Sequence, residues 1–305
     1  MDVLVAGGTG FIGRHLCGTL HQRGHDVTAM SRDPDTAMVP DDVATQAADI
    51  TTFDGLSEVV AGRDAVVNLV SLTPLFQPRG GEQRHEAVTV EGTRNLVRAM
   101  DREGVDRILF QSGLGADTNG PTHYLRAKGR AEGILHASDL DWRISRPSIV
   151  FGDGAEFLTF LHQVTTPYVT ALPGGGHTRF QPIWVHDLVA ILARMLEDDE
   201  RSEQTYELGG PEERTLADLT RAVYRENGRS VRIVPIPMPV TRVAFRVGGV
   251  LPLIPFGPDQ YRGLQFVNVP EHNDVEQFDI DPGTLGSFDE YLVGDLHASE
   301  IDPKS

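Results

Sequence analysis

The chain has 305 residues, of which 40% are hydrophobic and 23% charged, so it can bury a sizeable core and is not a disordered polymer. This length predicts one large domain or two interlocked ones. The formal net charge of −17 repels phosphate backbones and argues against binding to nucleic acid. Among the 27 basic residues only Lys128 and Lys304 are lysines, and this acidic, arginine-rich composition indicates a halophilic protein from a high-salt cytoplasm or, failing that, a GC-rich genome.

Short apolar runs alternate with helical patterns over the first 150 residues, which is typical of βαβ units repeated on a parallel sheet. The predicted strands cover residues 3–6, 26–30, 44–48, 65–70, 107–111 and 142–145. The predicted helices cover residues 11–23, 54–61, 86–103 and 122–137. The alternation predicts an α/β fold of the Rossmann type, with a doubly wound parallel sheet.

The pattern becomes less regular after Ser145, where proline and glycine pairs interrupt the apolar runs. A helix over residues 186–196 and a strand over 205–208 are predicted to return to the sheet. We therefore expect a Rossmann domain with a smaller, interlaced C-terminal cap. The Rossmann domain is predicted to comprise residues 1–150 and 184–210, and the cap residues 151–183 and 211–305.

No targeting signal is evident, because the N-terminal residues carry neither a basic region nor an apolar stretch of signal-peptide length. The single cysteine, Cys17, cannot form an internal disulfide. Five prolines and three arginines interrupt the most apolar segment, residues 231–256, well short of the roughly 20 apolar residues that a membrane span requires. These features predict a cytoplasmic protein.

The apolar, proline-rich segment 233–256 has two interpretations. A buried cap helix is the simpler one. The alternative is an apolar patch with flanking arginines that contacts a membrane surface or a membrane-bound partner, so that the protein is peripheral to the membrane.

A glycine-rich turn, G-G-T-G-F-I-G, lies directly between the first predicted strand and the first predicted helix. Glycines let the turn close and let the backbone approach a pyrophosphate, whose charge then meets the N–H groups at the helix N-terminus. This position predicts a dinucleotide site. The expected contacts are Gly7, Thr9, Gly10, Phe11, Ile12 and Gly13.

The end of the second strand indicates which dinucleotide is bound. Sites for NAD usually have an acidic residue there, which binds the ribose hydroxyl and would repel a 2′-phosphate. This chain has Ser31 and Arg32 instead, and a guanidinium matches phosphate geometry, so NADP(H) is expected in preference to NAD(H). Further contacts are expected at the adenine edge and beside the middle of the cofactor, from Asp49, Ile50, Leu69 and Val70.

Tyr124 and Lys128 lie four residues apart on a predicted helix and therefore on the same face. Lys128 is the only lysine outside the C-terminal tail. A nearby ammonium stabilises phenolate and is expected to lower the Tyr124 pKa from about 10, so that the pair exchanges the proton that accompanies hydride transfer.

These motifs, with residues 91–96, 146–152 and 184–188, resemble those of the extended and atypical short-chain dehydrogenases/reductases. Residues 204–212 resemble the corresponding segment in one branch of this family, the branch that contains the NADPH-binding accessory subunit of respiratory complex I. The resemblance implies that Tyr124 is the acid/base and that Lys128 also holds the nicotinamide ribose. It further implies that Pro147 and its neighbours up to Ile149 flank the nicotinamide.

The chain departs from the family pattern at two polar positions. Active members usually carry Ser or Thr just after the fifth strand, where this chain has Gly113, and Ser112 lies one residue short. Thr89 stands where Asn is frequent. Because such donors contribute several kcal/mol to the transition state, we expect catalysis to be slow or absent, with cofactor binding intact, unless Ser112, Thr122 or His123 supplies the missing hydrogen bond.

Three functions remain open from the sequence. The first is an oxidoreductase that transfers hydride to or from a small or prenylated carbonyl or alcohol. The second is a non-catalytic protein that holds NADPH in a membrane redox complex. The third is a nucleotide-sugar epimerase or dehydratase, for which Arg143, Arg146 and Arg179 are candidate diphosphate ligands. No metal site is expected, because the 11 histidines are dispersed without ligand spacing.

Overall fold

A computed structural model describes residues 1–34, 39–166, 168–226, 228–241 and 257–296. Its centre is a seven-stranded parallel sheet with the order β11-β6-β5-β4-β1-β2-β3, numbered along the chain. The strands of this sheet are β1 (Asp2–Ala6), β2 (Asp26–Ser31), β3 (Ala44–Ala47), β4 (Ala65–Asn68), β5 (Arg107–Gln111), β6 (Asp141–Pro147) and β11 (Gln204–Leu208).

Helices cover both faces of the sheet. They are α1 (Phe11–Gln22), α2 (Leu56–Val60), α3 (Gly92–Glu103), α4 (His123–His136), α5 (Glu156–Val164), α6 (Val185–Glu197), α7 (Leu216–Glu226), α8 (Pro258–Gly263) and α9 (Phe288–Val293). Side chains of β1 alternate between two cores, since Val3 and Val5 pack with α1 and α6 whereas Leu4 packs with α2 and α3. This two-sided burial explains the apolar sequences of the central strands β1 and β4.

The doubly wound parallel sheet predicted from the sequence is confirmed, and β5 has the predicted bounds. Most other predicted bounds differ from the observed ones by one or two residues, and two elements show a specific difference. The helix predicted from residue 86 begins with a π-helical turn, Glu86–Glu91, before α3. The strand predicted to reach residue 70 ends at Asn68, because the Asn68 amide accepts a hydrogen bond from the Val70 N–H and turns the chain.

The cap region contains pairs of short strands. They are β7 (Val150–Phe151) with β10 (Ile183–Trp184), β8 (Tyr168–Pro173) with β13 (Val231–Ile236), and β9 (Arg179–Phe180) with β12 (Arg214–Thr215). The helix interpretation of segment 233–256 is wrong for residues 233–236, which pair with β8 as a strand. Residues 242–256 lie outside the described residues. Within the described ranges, no helix combines the length and the apolar character needed to span a bilayer.

Candidate cofactor and catalytic cleft

A cleft of about 890 Å³ opens at the carboxyl ends of the parallel strands. Its floor lies where β1 sits between β2 and β4, the point at which the strand order reverses. Ligands of doubly wound sheets bind at this switch point. One side of the cleft comes from the sheet and its loops, and the other comes from the cap.

The glycine-rich turn forms a cradle at one end of the cleft. Gly7 has a φ of 84°, which only glycine adopts readily. A Cβ atom on Gly13 would lie 2.1 Å from the Gly7 carbonyl oxygen, so helix α1 packs against the turn only with glycine there. The N-cap of α1 is Gly10, no side chain caps this end, and its first turn has no acidic residue. The N–H groups of residues 11–13 are therefore available to an anion.

The structure brings part of the predicted cofactor and catalytic set to the cleft. The residues of that set that line it are Gly7, Gly10, Phe11, Ile12, Gly13, Leu69, Ser112, Tyr124 and Pro147. Others are absent from the described lining, namely Thr9, Ser31, Arg32, Asp49, Ile50, Val70 and Lys128. The Ile50 side chain is buried, and its carbonyl oxygen accepts a hydrogen bond from the Asn95 amide at 3.2 Å.

The charges of two arginines act on one carboxylate beyond the ends of β2 and β3. Burial alone would raise the pKa of Asp49, but hydrogen bonds from Thr51 and the charges of Arg32 and Arg84 lower it. The sequence motif indicated only Arg32 here. Arg84 was missed because it lies in a loop far along the chain, with no local pattern that marks it. The two guanidinium groups make this corner of the molecule a candidate phosphate site.

Tyr124 occupies the space that the missing side chain of Gly113 would need. A Cβ atom on Gly113 would lie 3.0 Å from the Tyr124 hydroxyl oxygen. The phenol thus reaches the end of β5 and lines the cleft. A side chain at position 113 would therefore lie in tight contact with the Tyr124 hydroxyl.

The expected lowering of the Tyr124 pKa by Lys128 is wrong. Burial raises the pKa of Tyr124 to about 12. Lys128 lies near the phenol, with its Nζ 5.9 Å from the ring centroid, but it donates a 2.6 Å hydrogen bond to the Gln111 carbonyl oxygen. Burial also lowers the pKa of Lys128 to about 7, with partial compensation from Glu132. Tyr124 is therefore protonated at neutral pH and suited to donate a proton.

The polar groups expected to assist Tyr124 have different surroundings. The Ser112 hydroxyl is buried, lines the cleft and has no hydrogen-bond partner among the described residues. Thr122 caps α4, since its hydroxyl accepts a hydrogen bond from the Leu125 N–H. His123 turns toward the cap, where its Nδ1 lies 3.0 Å from Asp259. Ser112 is thus the hydroxyl left free to bind a ligand.

An ionisable pair that sequence reasoning missed lies beside Tyr124. The His85 ring packs edge-on against the Tyr124 ring, with centroids 5.8 Å apart. Burial lowers the pKa of His85 to about 4. Burial, followed by the charge of Asp259, raises the pKa of Glu82 to about 7 against the opposing effect of Arg262. No spacing motif marks these residues, because cap packing over the loop before α3 brings them together.

The cap side of the cleft is apolar. Its lining includes Phe157, Phe160, Leu172, Phe180, Leu264 and Phe266. No arginine or lysine lines the described part of the cleft, whose ionisable lining residues are His85, Tyr124, Glu156 and Asp259. The three arginines considered as diphosphate ligands are engaged elsewhere: Arg143 with Asp141, Arg146 with Glu132, and Arg179 with Glu213.

Comparison with known proteins agrees with this geometry. Residues 7–165 match a family described as NAD(P)H-binding. A mitochondrial NADH dehydrogenase [ubiquinone] 1 alpha subcomplex subunit 9 from Arabidopsis thaliana is 30% identical over 247 residues, which are 78% of this chain. A 3 beta-hydroxysteroid dehydrogenase/Delta 5-->4-isomerase from Mycobacterium tuberculosis is 28% identical over 293 residues, covering 83% of this chain and 78% of that protein.

Among solved structures, a nucleoside-diphosphate-sugar epimerase from Staphylococcus aureus superposes with a TM-score of 0.74 at 19% identity. The match covers 96% of this chain and all of that one, so the two share a fold. The match to the Arabidopsis subunit spans only 61% of that protein's length.

Proposed function

Because the chain belongs to the NAD(P)H-binding family, we propose that it is an NADP(H)-dependent oxidoreductase that acts on an apolar carbonyl compound or alcohol. One observation carries the proposal: a single cleft joins an uncapped helix N-terminus, the Tyr124 hydroxyl and an apolar wall without arginine or lysine among the described residues. The first feature suits a diphosphate, the second suits proton transfer, and the third suits an apolar substrate.

A reduced nicotinamide held in this cleft would supply a hydride for the substrate carbonyl carbon. Tyr124 donates its hydroxyl proton to the carbonyl oxygen, which yields the alcohol and leaves a phenolate. The Lys128 ammonium nearby stabilises that phenolate until a solvent proton restores the phenol. Ser112, with its free hydroxyl, donates a second hydrogen bond to the carbonyl oxygen.

The preference for NADP(H) rests on the two guanidinium groups near Asp49. Arg32 follows β2 and Arg84 approaches from the loop before α3, and both act electrostatically on the same carboxylate. A 2′-phosphate at this corner would bind both guanidinium groups, whereas the 2′-hydroxyl of NAD(H) offers them no charge.

The apolar wall favours a hydrophobic substrate over a nucleotide sugar. A nucleotide sugar carries a second diphosphate, which requires cations or free N–H groups, and the cap side of the described cleft presents neither arginine nor lysine. The mycobacterial relative is named as a hydroxysteroid dehydrogenase, and this similarity supports an apolar substrate for the present chain.

A non-catalytic role is the second candidate. It is favoured by Gly113 in place of the usual hydroxyl residue and by the similarity to the Arabidopsis NADH dehydrogenase subunit. In that role the bound NADPH would stabilise the chain within a membrane redox complex without turning over.

Cofactor titration combined with a substrate panel separates these functions. The purified chain would be titrated with NADPH and NADH by fluorescence and then assayed with apolar ketones, prenylated ketones and UDP-glucose. We expect the chain to bind NADPH more tightly than NADH. Within the panel, we expect turnover of apolar ketones and no turnover of UDP-glucose. Tyr124→Phe should reduce turnover by about 10²–10⁴-fold with NADPH binding retained, whereas Tyr206→Phe, remote from the cleft, should not. NADPH binding without any turnover would support the non-catalytic role instead.

A further inference from the structure

Three side chains of ligand type that the proposed reaction does not use meet where the cap contacts the sheet domain. Glu82 lies in the loop before α3, His123 begins α4, and Asp259 lies in the first turn of α8. One oxygen of each carboxylate and one ring nitrogen of His123 all lie within 4.8 Å of one another. A single ion between them would contact all three groups.

Glu82 lacks the partners that a buried carboxylate normally has. Both of its oxygens are buried, and neither accepts a hydrogen bond from the described residues. The neighbouring His85 side chain is only 2% exposed, with its Nε2 turned to 3.5 Å from Glu82 and its Nδ1 also lacking a described partner. Because buried polar groups are nearly always hydrogen-bonded, this pair indicates a binding partner other than the described residues.

The charges at this junction point to a cation. Asp259, whose side chain is 5% exposed, has one oxygen 2.8 Å from the Arg262 guanidinium, and its other oxygen faces Nδ1 of His123 at 3.0 Å. Two carboxyl groups, one imidazole and one guanidinium thus meet at this junction. The His123 side chain is 42% exposed, which gives an ion and its waters access from solvent.

We propose that Glu82, His123 and Asp259 form a binding site for a divalent transition-metal cation of the zinc type. One imidazole nitrogen with two carboxylates is a ligand set that Zn²⁺ accepts, whereas Mg²⁺ and Ca²⁺ prefer oxygen ligands only. Since the ligands come from α4, α8 and the loop before α3, the cation would fasten the cap over the cleft. The spacing of histidines along the sequence offered no sign of this site, because its ligands are distant along the chain.

The test is calorimetric titration of the chelator-treated, full-length chain with ZnCl₂ alone and, separately, with MgCl₂ alone. We expect one Zn²⁺ per chain and little binding of Mg²⁺. Glu82→Gln keeps the shape of the side chain but removes its charge. It should weaken Zn²⁺ binding by more than about 100-fold, since changes that only support a ligand already cost about 10–100-fold.

Two further variants make the result decisive. Glu86→Gln alters an exposed carboxylate close by, which pairs with Arg130, and should leave Zn²⁺ affinity unchanged. His123→Asn removes a half-exposed ligand and should weaken binding even if Glu82→Gln does not fold. Absence of stoichiometric Zn²⁺ binding, or equal affinity in the wild type and His123→Asn, would overturn the proposal. Because no nucleotide is present, the outcome is independent of the proposed oxidoreductase activity.

Discussion

The sheet side and the cap side of the cleft differ in how far apart along the chain their residues lie. On the sheet side, Gly7, Gly10 and Gly13 form the cofactor cradle within one short turn. On the cap side, Phe157, Phe180 and Phe266 meet from segments separated by whole helices and strands. A local motif therefore specifies where the diphosphate binds, whereas the substrate wall depends on tertiary packing.

The two sides also differ in chemistry. The cradle presents backbone N–H groups and no side-chain cap, which suits an anion. The cap wall presents leucine and phenylalanine side chains, which suit an apolar molecule. Substitutions on the two sides should accordingly separate folding and cofactor binding from substrate binding.

The largest effect is expected at Gly13. In Gly13→Ala the new Cβ would lie 2.1 Å from the Gly7 carbonyl oxygen and 2.7 Å from the Gly8 Cα, so helix α1 must move away from the turn. We expect the free energy of unfolding in urea to fall by more than about 3 kcal/mol. The matched control is Gly133→Ala in α4, where the new Cβ has no neighbouring atom within 4 Å. The free energy of unfolding of this variant should rise by roughly 0.5–1 kcal/mol. Equal stability of the two variants would contradict the packing argument.

Next in size is the loss of the 2′-phosphate contacts. Arg32→Ala and Arg84→Ala should each weaken NADPH binding by about tenfold or more, since a hydrogen bond to a charged group contributes about 1.5–3 kcal/mol. NADH binding should change little, because NADH lacks the phosphate. Arg102→Ala, an exposed arginine on α3, serves as the control. Parallel losses for NADPH and NADH would show that the two arginines do not select the cofactor.

On the cap side, Phe180→Ala should act on the substrate alone. Removing this ring from the wall reduces apolar contact and should raise KM for an apolar ketone by about tenfold. The dissociation constant of NADPH should stay within about twofold, given that the cradle is untouched. Phe53→Ala, outside the described cleft lining, controls for the loss of a ring elsewhere. A change in NADPH affinity without a change in KM would mean that the two sides are not separable.

Lys128 is expected to make the stability of the chain depend on pH. Its folded-state pKa of about 7 lies below the unfolded value of about 10.4, so the unfolded chain binds more protons between these values. The free energy of unfolding of the wild type should therefore rise, relative to that of Lys128→Met, as the pH increases from about 7 to about 10. Urea unfolding at several pH values measures this difference. A difference that stays constant with pH would contradict the lowered pKa of the buried Lys128.

The predictable part of the molecule was the part built from local patterns. The alternation of apolar runs and helical stripes indicated the strands of the central sheet, and β5 has the bounds predicted for it. The glycine spacing indicated the turn before α1, because closing that turn requires glycine at specific positions.

The unpredicted part depends on burial and on distant contacts. The sequence placed Lys128 near Tyr124 but did not indicate that burial would raise the Tyr124 pKa instead of lowering it. Arg84, Glu82 and His85 carry no motif, and their proximity to Asp49 or Asp259 arises only when loops and cap pack together. The strand at residues 233–236 forms because β8 supplies a neighbour, which residue patterns alone do not specify.

The most direct measurement of the central claim is deuterium transfer from NADPH labelled at nicotinamide C4 to an apolar ketone, followed by mass spectrometry of the alcohol. The account predicts deuterium on the carbinol carbon with the wild-type chain, and loss of that product with Tyr124→Phe despite retained NADPH binding. Bound NADPH that never transfers deuterium to any ketone, or transfer that is equally fast in Tyr124→Phe, would contradict it.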